Sequence, residues 1–300
     1  MLSILTNYKM GEVNMARKVI LTVAPTSNFQ GKEANPALPE QPDEIAQAVK
    51  ECHDAGASVV HIHARGKDGI PTNDPIVFSE INAKVRDKCD IIIQNSIAPA
   101  NKPGGFSTAE DGWQTLDAKP EMASLDMGIC CITHSFGEQI IEWTRSFLRK
   151  TAKMMLDAGI KPELEIYNNS NMEDSYLLIQ EGLLTKPYYH TFVMGMNKIN
   201  QAGTRYTPRH LQHYIDLLPE DSLFNAMGIG PSQLSATTHS LIAGGGARVG
   251  FEDNIYFRKG ELAKNNAQLV ERAAAFAHDL GLDIASPAET RDILGIPQLN

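Results

Sequence analysis

"SVVHIHARGKDG", residues 58–69, breaks a run of small and β-branched apolar residues with two histidines, then turns through a charged, glycine-bearing segment. Val59, Val60 and Ile62 have the composition of a strand buried on both faces, the kind found in parallel sheets. His61 and His63 stand at i and i+2, so both side chains project to the same side of that strand. Two core histidines satisfied by backbone are the plain alternative. Side-by-side imidazoles in a parallel strand are costly to bury without a shared partner, which favours a common ion or ligand.

The same grammar recurs on either side. Short strand candidates fall at "KVILTVA" (18–24), 58–64, "DIIIQNS" (90–96), "EMASLDM" (121–127), "KPELEIYN" (161–168), "YHTFVMG" (189–195), "SLFNAMGIG" (222–230) and "ARVGFED" (247–253). Between them lie amphipathic stretches such as "PDEIAQAVKECHDAG" and "RSFLRKTAKMMLDAG", closed by Ala-Gly as a helix C-terminus should be. Eight strand–helix pairs without a Pro/Gly/Ser-rich linker predict an α/β chain folded as a (β/α)₈ TIM barrel. A doubly wound dinucleotide-binding sheet is the weaker alternative: the turn after the first strand, "APTSNFQGKEANPALPEQP", lacks the G-x-G-x-x-G pattern. A natural-looking start at "MARKVILTVAP" makes residues 1–16 a flexible extension and 17–300 a single barrel domain.

Composition narrows the partners. The 300 residues are 42% hydrophobic and 21% charged, with a formal net charge of -9 and a pI near 5.5. No block of like charge marks a surface for nucleic acid or an anionic membrane, so a small molecule is the expected partner. No signal peptide and no membrane-length apolar run are present. The four cysteines, at 52, 89, 130 and 131, lack C-x-x-C spacing and read as reduced thiols of a cytoplasmic protein.

Barrel enzymes carry their sites at the C-terminal ends of the strands. There this chain places His61 and His63, Asn95 and Ser96, Ser124 and Asp126, Glu165 and Tyr167, and Arg248, Glu252 and Asp253. Two histidines are an incomplete metal site, and Glu252 from strand eight is the natural third ligand, since only strand one separates strands two and eight. Two histidines and a carboxylate suit zinc, and Fe(II) uses the same set. Glu165, on strand five, is placed to reach Arg248 across the mouth as either a catalytic or a structural ion pair, and is expected to be buried. Asp253 taken alone also reads as a helix N-cap. "GIGPSQLS" after strand seven offers main-chain donors to an anion, whereas "AGGGARV" reads as a turn on the opposite face. His210 and His213 read as a surface pair, His239 and His278 as helix residues without a role, and Cys130 and Cys131 as packing residues.

These segments resemble the β-keto acid cleavage enzymes, the family founded on 3-keto-5-aminohexanoate cleavage in lysine fermentation. The resemblance runs from about Val19 to the C-terminus through "AGASVVHIHARGKDGIPT", "IIIQNS", "KPEMASL", "KPELEIY", "GIG", "RVGFEDNIYFRKGELAKNNAQLVERA" and "ASPAETRDILGI". It implies a zinc-dependent barrel, usually a homotetramer, that converts a β-keto acid and acetyl-CoA into acetoacetate and a new acyl-CoA by Claisen and retro-Claisen steps. By that resemblance His61, His63 and Glu252 match the zinc ligands and Asp253 the base that takes the C2 proton. Arg248 matches the base's charged partner, and Glu165 the carboxylate of the same cluster. Ser96 and Ser124 match substrate-binding hydroxyls, a threonine being more usual at the second.

Three departures bear on the substrate. Phe29 stands where the aminohexanoate enzyme has a glutamate for the substrate ammonium, which favours an apolar side chain or a quaternary ammonium against the ring. Ala98 and Pro99 replace a Gly-Gly pair whose backbone approaches the substrate carboxylate, and Pro99 has no N–H. Asp126 replaces an asparagine and adds a negative charge where the substrate carboxylate is expected. The competing readings are a CoA-independent metal-dependent aldolase or hydrolase on a small oxo acid, and a non-catalytic ligand-binding barrel.

Overall fold

Eight parallel strands close on themselves in the order β5-β6-β7-β8-β1-β2-β3-β4. They are β1 (Leu21–Val23), β2 (Val59–Ile62), β3 (Ile92–Asn95), β4 (Met122–Asp126), β5 (Lys161–Ile166), β6 (Tyr188–Met194), β7 (Ser222–Gly228) and β8 (Gly246–Val249). The structure, a computed structural model, describes residues 18–134 and 137–299. The extension expected over residues 1–16 lies outside the described residues.

Around the barrel run α1 (Pro42–Asp54), α2 (Pro75–Arg86), α3 (Arg145–Ala158), α4 (Asn169–Gln180), α5 (Pro208–Asp216), α6 (Ser232–Ala243), α7 (Asn266–Asp279) and α8 (Pro287–Leu294). Local sequence explains their limits. Helix α1 opens on Pro42 behind a Gln41/Glu44 capping box and buries Ile45, Ala46, Val49 and Cys52, a helical stripe. Helix α3 is capped by Thr144, whose hydroxyl accepts the Phe147 N–H, and ends on Gly159 in the left-handed region. Ile20, Val59, Ile92, Met122, Tyr189, Leu294 and Ile296 form an apolar floor under the barrel. The strand period of two then raises His61 above Val59, Gln94 above Ile92 and Ser124 above Met122, so polar groups collect from mid-barrel to the mouth.

The elements depart from the sequence expectation in three places. The first strand splits: Lys18–Val19 pairs with Asp283–Ile284, and only Leu21–Val23 joins the barrel. The third unit carries a 3₁₀ segment, Ala109–Ala118, in place of an α-helix; it presses so close that a Cβ at Gly112 would lie 1.8 Å from the Ile97 carbonyl oxygen. The expected strand 247–253 stops at Val249, because the chain turns at Gly250 (φ +139°), where a Cβ would lie 2.2 Å from the Ala24 carbonyl oxygen. Beyond β4 an antiparallel hairpin, Gly128–His134 with Gly137–Trp143, stands beside the mouth. Its alternation places Cys130, Ile132, Ile141 and Trp143 on the inner face and Ile129 and Ile140 on the exposed one.

Candidate active site

The turn begun at Gly250 delivers Glu252 and Asp253 over the barrel mouth, held where the Glu252 N–H donates to the Ala24 carbonyl at 3.1 Å. Glu252 meets the two histidines of β2 there: His61 Nε2 lies 3.5 Å from its Oε2, and His63 Nε2 lies 3.3 Å from its Oε1. One donor atom from each of the three falls within 4.8 Å of the others. Strand pairing puts Gln94 beside His61, and its Oε1 accepts the His61 Nδ1 proton at 2.7 Å, which leaves the Nε2 lone pair facing the carboxylate. Burial, with Arg248 nearby, lowers the His61 pKa to about 3, so the ring is neutral, as a metal ligand must be. Glu252 Oε2 is buried without a hydrogen-bond partner. An unsatisfied carboxylate oxygen beside two imidazoles suits a divalent cation, and zinc takes such a donor set with one position open.

Among the described residues Arg248 is the only arginine or lysine lining the cavity at the mouth. Its Nη1 donates to Glu165 Oε1 at 3.0 Å, its Nη2 to Glu252 Oε1 at 2.6 Å, and its Nε to Asp253 Oδ2 at 3.3 Å. The reach from β8 to Glu165 on β5 is the one expected, and Glu165 is buried. Burial opposes the charge on Arg248, but Asp253, Glu252 and Glu165 together raise its pKa well above the ordinary value. Burial also acts against Glu252, yet Arg248 and the two histidines hold its carboxyl below the usual range. Asp253 goes the other way: burial outweighs Arg248, and with Glu252 adjacent its pKa rises to about 8. Glu163, two residues below Glu165 on the same strand face, is raised to about 7 by burial and by Glu165.

Asp126 is buried among the other carboxyls of the cluster. Burial, then Glu165, raise its pKa well above the ordinary carboxylate value, which favours the protonated form. The Tyr167 hydroxyl lies 2.6 Å from Asp126 Oδ1 and 2.9 Å from Glu165 Oε2, tying the three together, while Asp126 Oδ2 is buried without a partner. Ser96 lines the cavity; Ser124 does not, and its hydroxyl accepts the Ile97 N–H at 3.2 Å, fixing the loop after β3. That loop keeps its own donors. The Ala98 N–H bonds Ser96 Oγ, Ala100 N–H bonds Asn73 Oδ1, Asn101 N–H bonds Asn28 Oδ1, and Pro99 has none. Phe29 lines the cavity edge-on to Phe106 at 5.8 Å.

The anion cradle expected at "GIGPSQLS" is not available. The N–H groups of Ile229, Gly230, Ser232 and Gln233 donate to Met194, Asp253, Ile229 and Gly230 carbonyls, and residue 231 is proline. The Gly230 bond instead pins the Asp253 backbone at 2.7 Å. His210 and His213 do not pair: the first bonds the Arg205 carbonyl, the second Asn169. Cys130 faces the cavity from the hairpin, while Cys131 lies on the opposite face of its strand. Gln94 and the hairpin were not marked by the sequence reading. Gln94 was signalled by standing two residues before Ser96, and the hairpin by alternation in "GICCITHSFGEQIIEW".

The sequence model of the β-keto acid cleavage enzymes matches residues 18–296. The chain belongs to that family. It is 38% identical over 280 residues to the 3-keto-5-aminohexanoate cleavage enzyme of Acetoanaerobium sticklandii, covering 93% of this chain and 98% of the relative. It is 36% identical to the enzyme of the same name from Fusobacterium nucleatum, covering 94% and 99%. A 3,5-dioxohexanoate:acetyl-CoA acetone transferase from Paraburkholderia graminis is 29% identical, covering 93% and 96%. These relatives are matched along almost their whole length, and His61, His63, Arg248, Glu252 and Asp253 lie inside the residues that the family model matches.

Proposed function

We propose that the enzyme exchanges acyl partners between a β-keto acid and acetyl-CoA, releasing acetoacetate and a new acyl-CoA, with zinc held by His61, His63 and Glu252. The observation that carries this reading is the convergence of that donor set with Asp253, a buried carboxyl raised toward neutrality, at one end of the cavity. When bound, zinc supplies Lewis-acid stabilisation of the negative charge that develops on the ketone oxygen.

The side chains account for the proton and the charge. Asp253 removes a proton from C2 of the β-keto acid, and Arg248 holds that carboxylate in place through Nε and Nη2. The C2 carbanion forms a bond to the acetyl carbonyl carbon and the C–S bond of acetyl-CoA breaks, releasing CoA thiolate. The thiolate then attacks the original ketone carbon. The C2–C3 bond breaks, giving the new acyl-CoA and the carbanion of acetoacetate, to which Asp253 returns its proton. Glu165 fixes Arg248 from the opposite wall. Ser96, and Asp126 in its protonated form, offer hydroxyl hydrogens to the substrate carboxylate in place of the main-chain donors that the Ala98-Pro99 loop withholds.

The test is mass spectrometry of zinc-loaded protein with acetyl-CoA and β-keto acids: acetoacetate and the matching acyl-CoA appear in equal amounts. The committed donors of the Ala98-Pro99 loop are the one observation favouring a CoA-independent aldolase or hydrolase. Consumption of a β-keto acid without acetyl-CoA would establish that reading instead.

A further inference from the structure

The cavity above the reacting cluster has a volume of about 290 Å³, and its charged groups are confined to one end. His61, His63, Asp126, Glu165, Arg248, Glu252 and Asp253 all belong to the cluster described above. Away from it the wall is apolar. Phe29 and Phe106, in edge-on contact, line it together with Ile132, Ile141 and Trp143 of the hairpin and Met196 after β6. The polar side chains nearest this wall are already engaged. Gln30 Nε2 donates to the Phe251 and Glu252 carbonyls, and Asn28 donates to the Pro99 carbonyl while accepting from Asn101 N–H.

We infer that the acyl group transferred is neutral and apolar, a short aliphatic chain of the β-keto acid lying between Phe29 and the hairpin residues Ile132, Ile141 and Trp143. The inference rests on the β-keto acid reading of the site. It follows from what the wall lacks among the described residues as much as from what it holds: an ammonium or second carboxylate on the side chain would be desolvated against these residues without a counter-charge. A methylene there gains hydrophobic free energy instead, about fourfold in affinity per buried CH₂. The cavity is at the small end for ligand sites, which limits the chain to a few carbons. The hairpin is the discriminating element because it contributes three of the six wall residues named.

The experiment compares kcat/KM, read from acyl-CoA formation by the zinc-loaded enzyme, across two sets of acids. 3-Oxopentanoate, 3-oxohexanoate and 3-oxooctanoate are neutral in the side chain; 5-amino-3-oxohexanoate and 3-oxoadipate are charged. The neutral series is expected to rise about fourfold per methylene until the pocket fills, and its best member to exceed both charged acids by about 100-fold. Ile141→Ala should lower kcat/KM about tenfold for the best neutral acid and leave the ratio between the charged acids unaltered. A charged acid equal to or better than the neutral series overturns the inference while leaving the reaction standing. If no acid yields acyl-CoA, the reaction reading falls, and equilibrium binding of the same acids without acetyl-CoA decides the pocket: neutral acids alone binding supports it, charged acids binding as tightly overturns it.

Discussion

Arg248 neutralises three carboxylates from a position with almost no exposure to water, 1% of its surface. Five carboxyls, Asp126, Glu163, Glu165, Glu252 and Asp253, share this small volume with one guanidinium and two imidazoles, and burial drives three of them toward their neutral forms. A divalent cation at His61, His63 and Glu252 would supply the missing positive charge. His61→Ala should therefore lose zinc and turnover together, measured by metal analysis and acyl-CoA formation. Asp253→Asn should keep zinc and lose a factor of about 10² to 10⁴ in kcat. Because burial favours the protonated Asp126 carboxyl, Asp126→Asn should leave kcat/KM within about threefold. Asp126→Leu, which removes one of the two partners of the buried Tyr167 hydroxyl, should cost about 1 kcal/mol in denaturant unfolding. The histidine pair was legible because i, i+2 spacing fixes which way two strand residues face. Asp126 was not: its charge depends on Glu165 and on burial, both set by β5 lying beside β4.

The elements explain how the site is aimed. Gly250 ends β8 one turn before Glu252 and Asp253, and no other residue fits so close to Ala24. Gly250→Ala should cost about 2 kcal/mol or more in stability and weaken zinc binding, read by equilibrium unfolding and metal titration. Helix α4 and strand β6 meet at His190, fully buried, with Nε2 2.8 Å from Ser175 Oγ. Burial lowers its pKa from 6.5 to about 4. The folded value lies below the unfolded one, so this contribution is complete above pH 6.5 and is lost as pH falls toward 4, where the unfolded chain takes up the proton first. That amounts to about 3 kcal/mol. His190→Gln should make unfolding free energy flatter by about that amount between pH 7 and 4. Seven of the eight helical units and all eight strands were legible from periodicity. The 3₁₀ segment and the early end of β8 were not, because each is decided by a main-chain contact, Gly112 on Ile97 and Gly250 on Ala24, that no period encodes.

At the scale of the whole molecule the barrel separates stability from chemistry. An apolar floor closes one end, and the ionisable side chains lining the cavity come from the ends of β2, β4, β5 and β8, and the segments that follow them, at the other. Zinc binding only the folded barrel should raise its melting temperature by on the order of 5–10 °C at 1,000 times Kd, reversed by a chelator. No helix among the described residues is long and apolar enough to cross a membrane. The closed barrel was legible because eight alternating units can bury both faces of a parallel sheet in few ways. The substrate wall was not, since it is assembled from a hairpin and three loops. The most direct test of the central claim uses acetyl-CoA carrying ¹³C at both acetyl carbons, with zinc-loaded enzyme and a neutral β-keto acid. The account predicts acetoacetate labelled at C3 and C4 and an unlabelled new acyl-CoA. Label in the new acyl-CoA, or unlabelled acetoacetate, would contradict it.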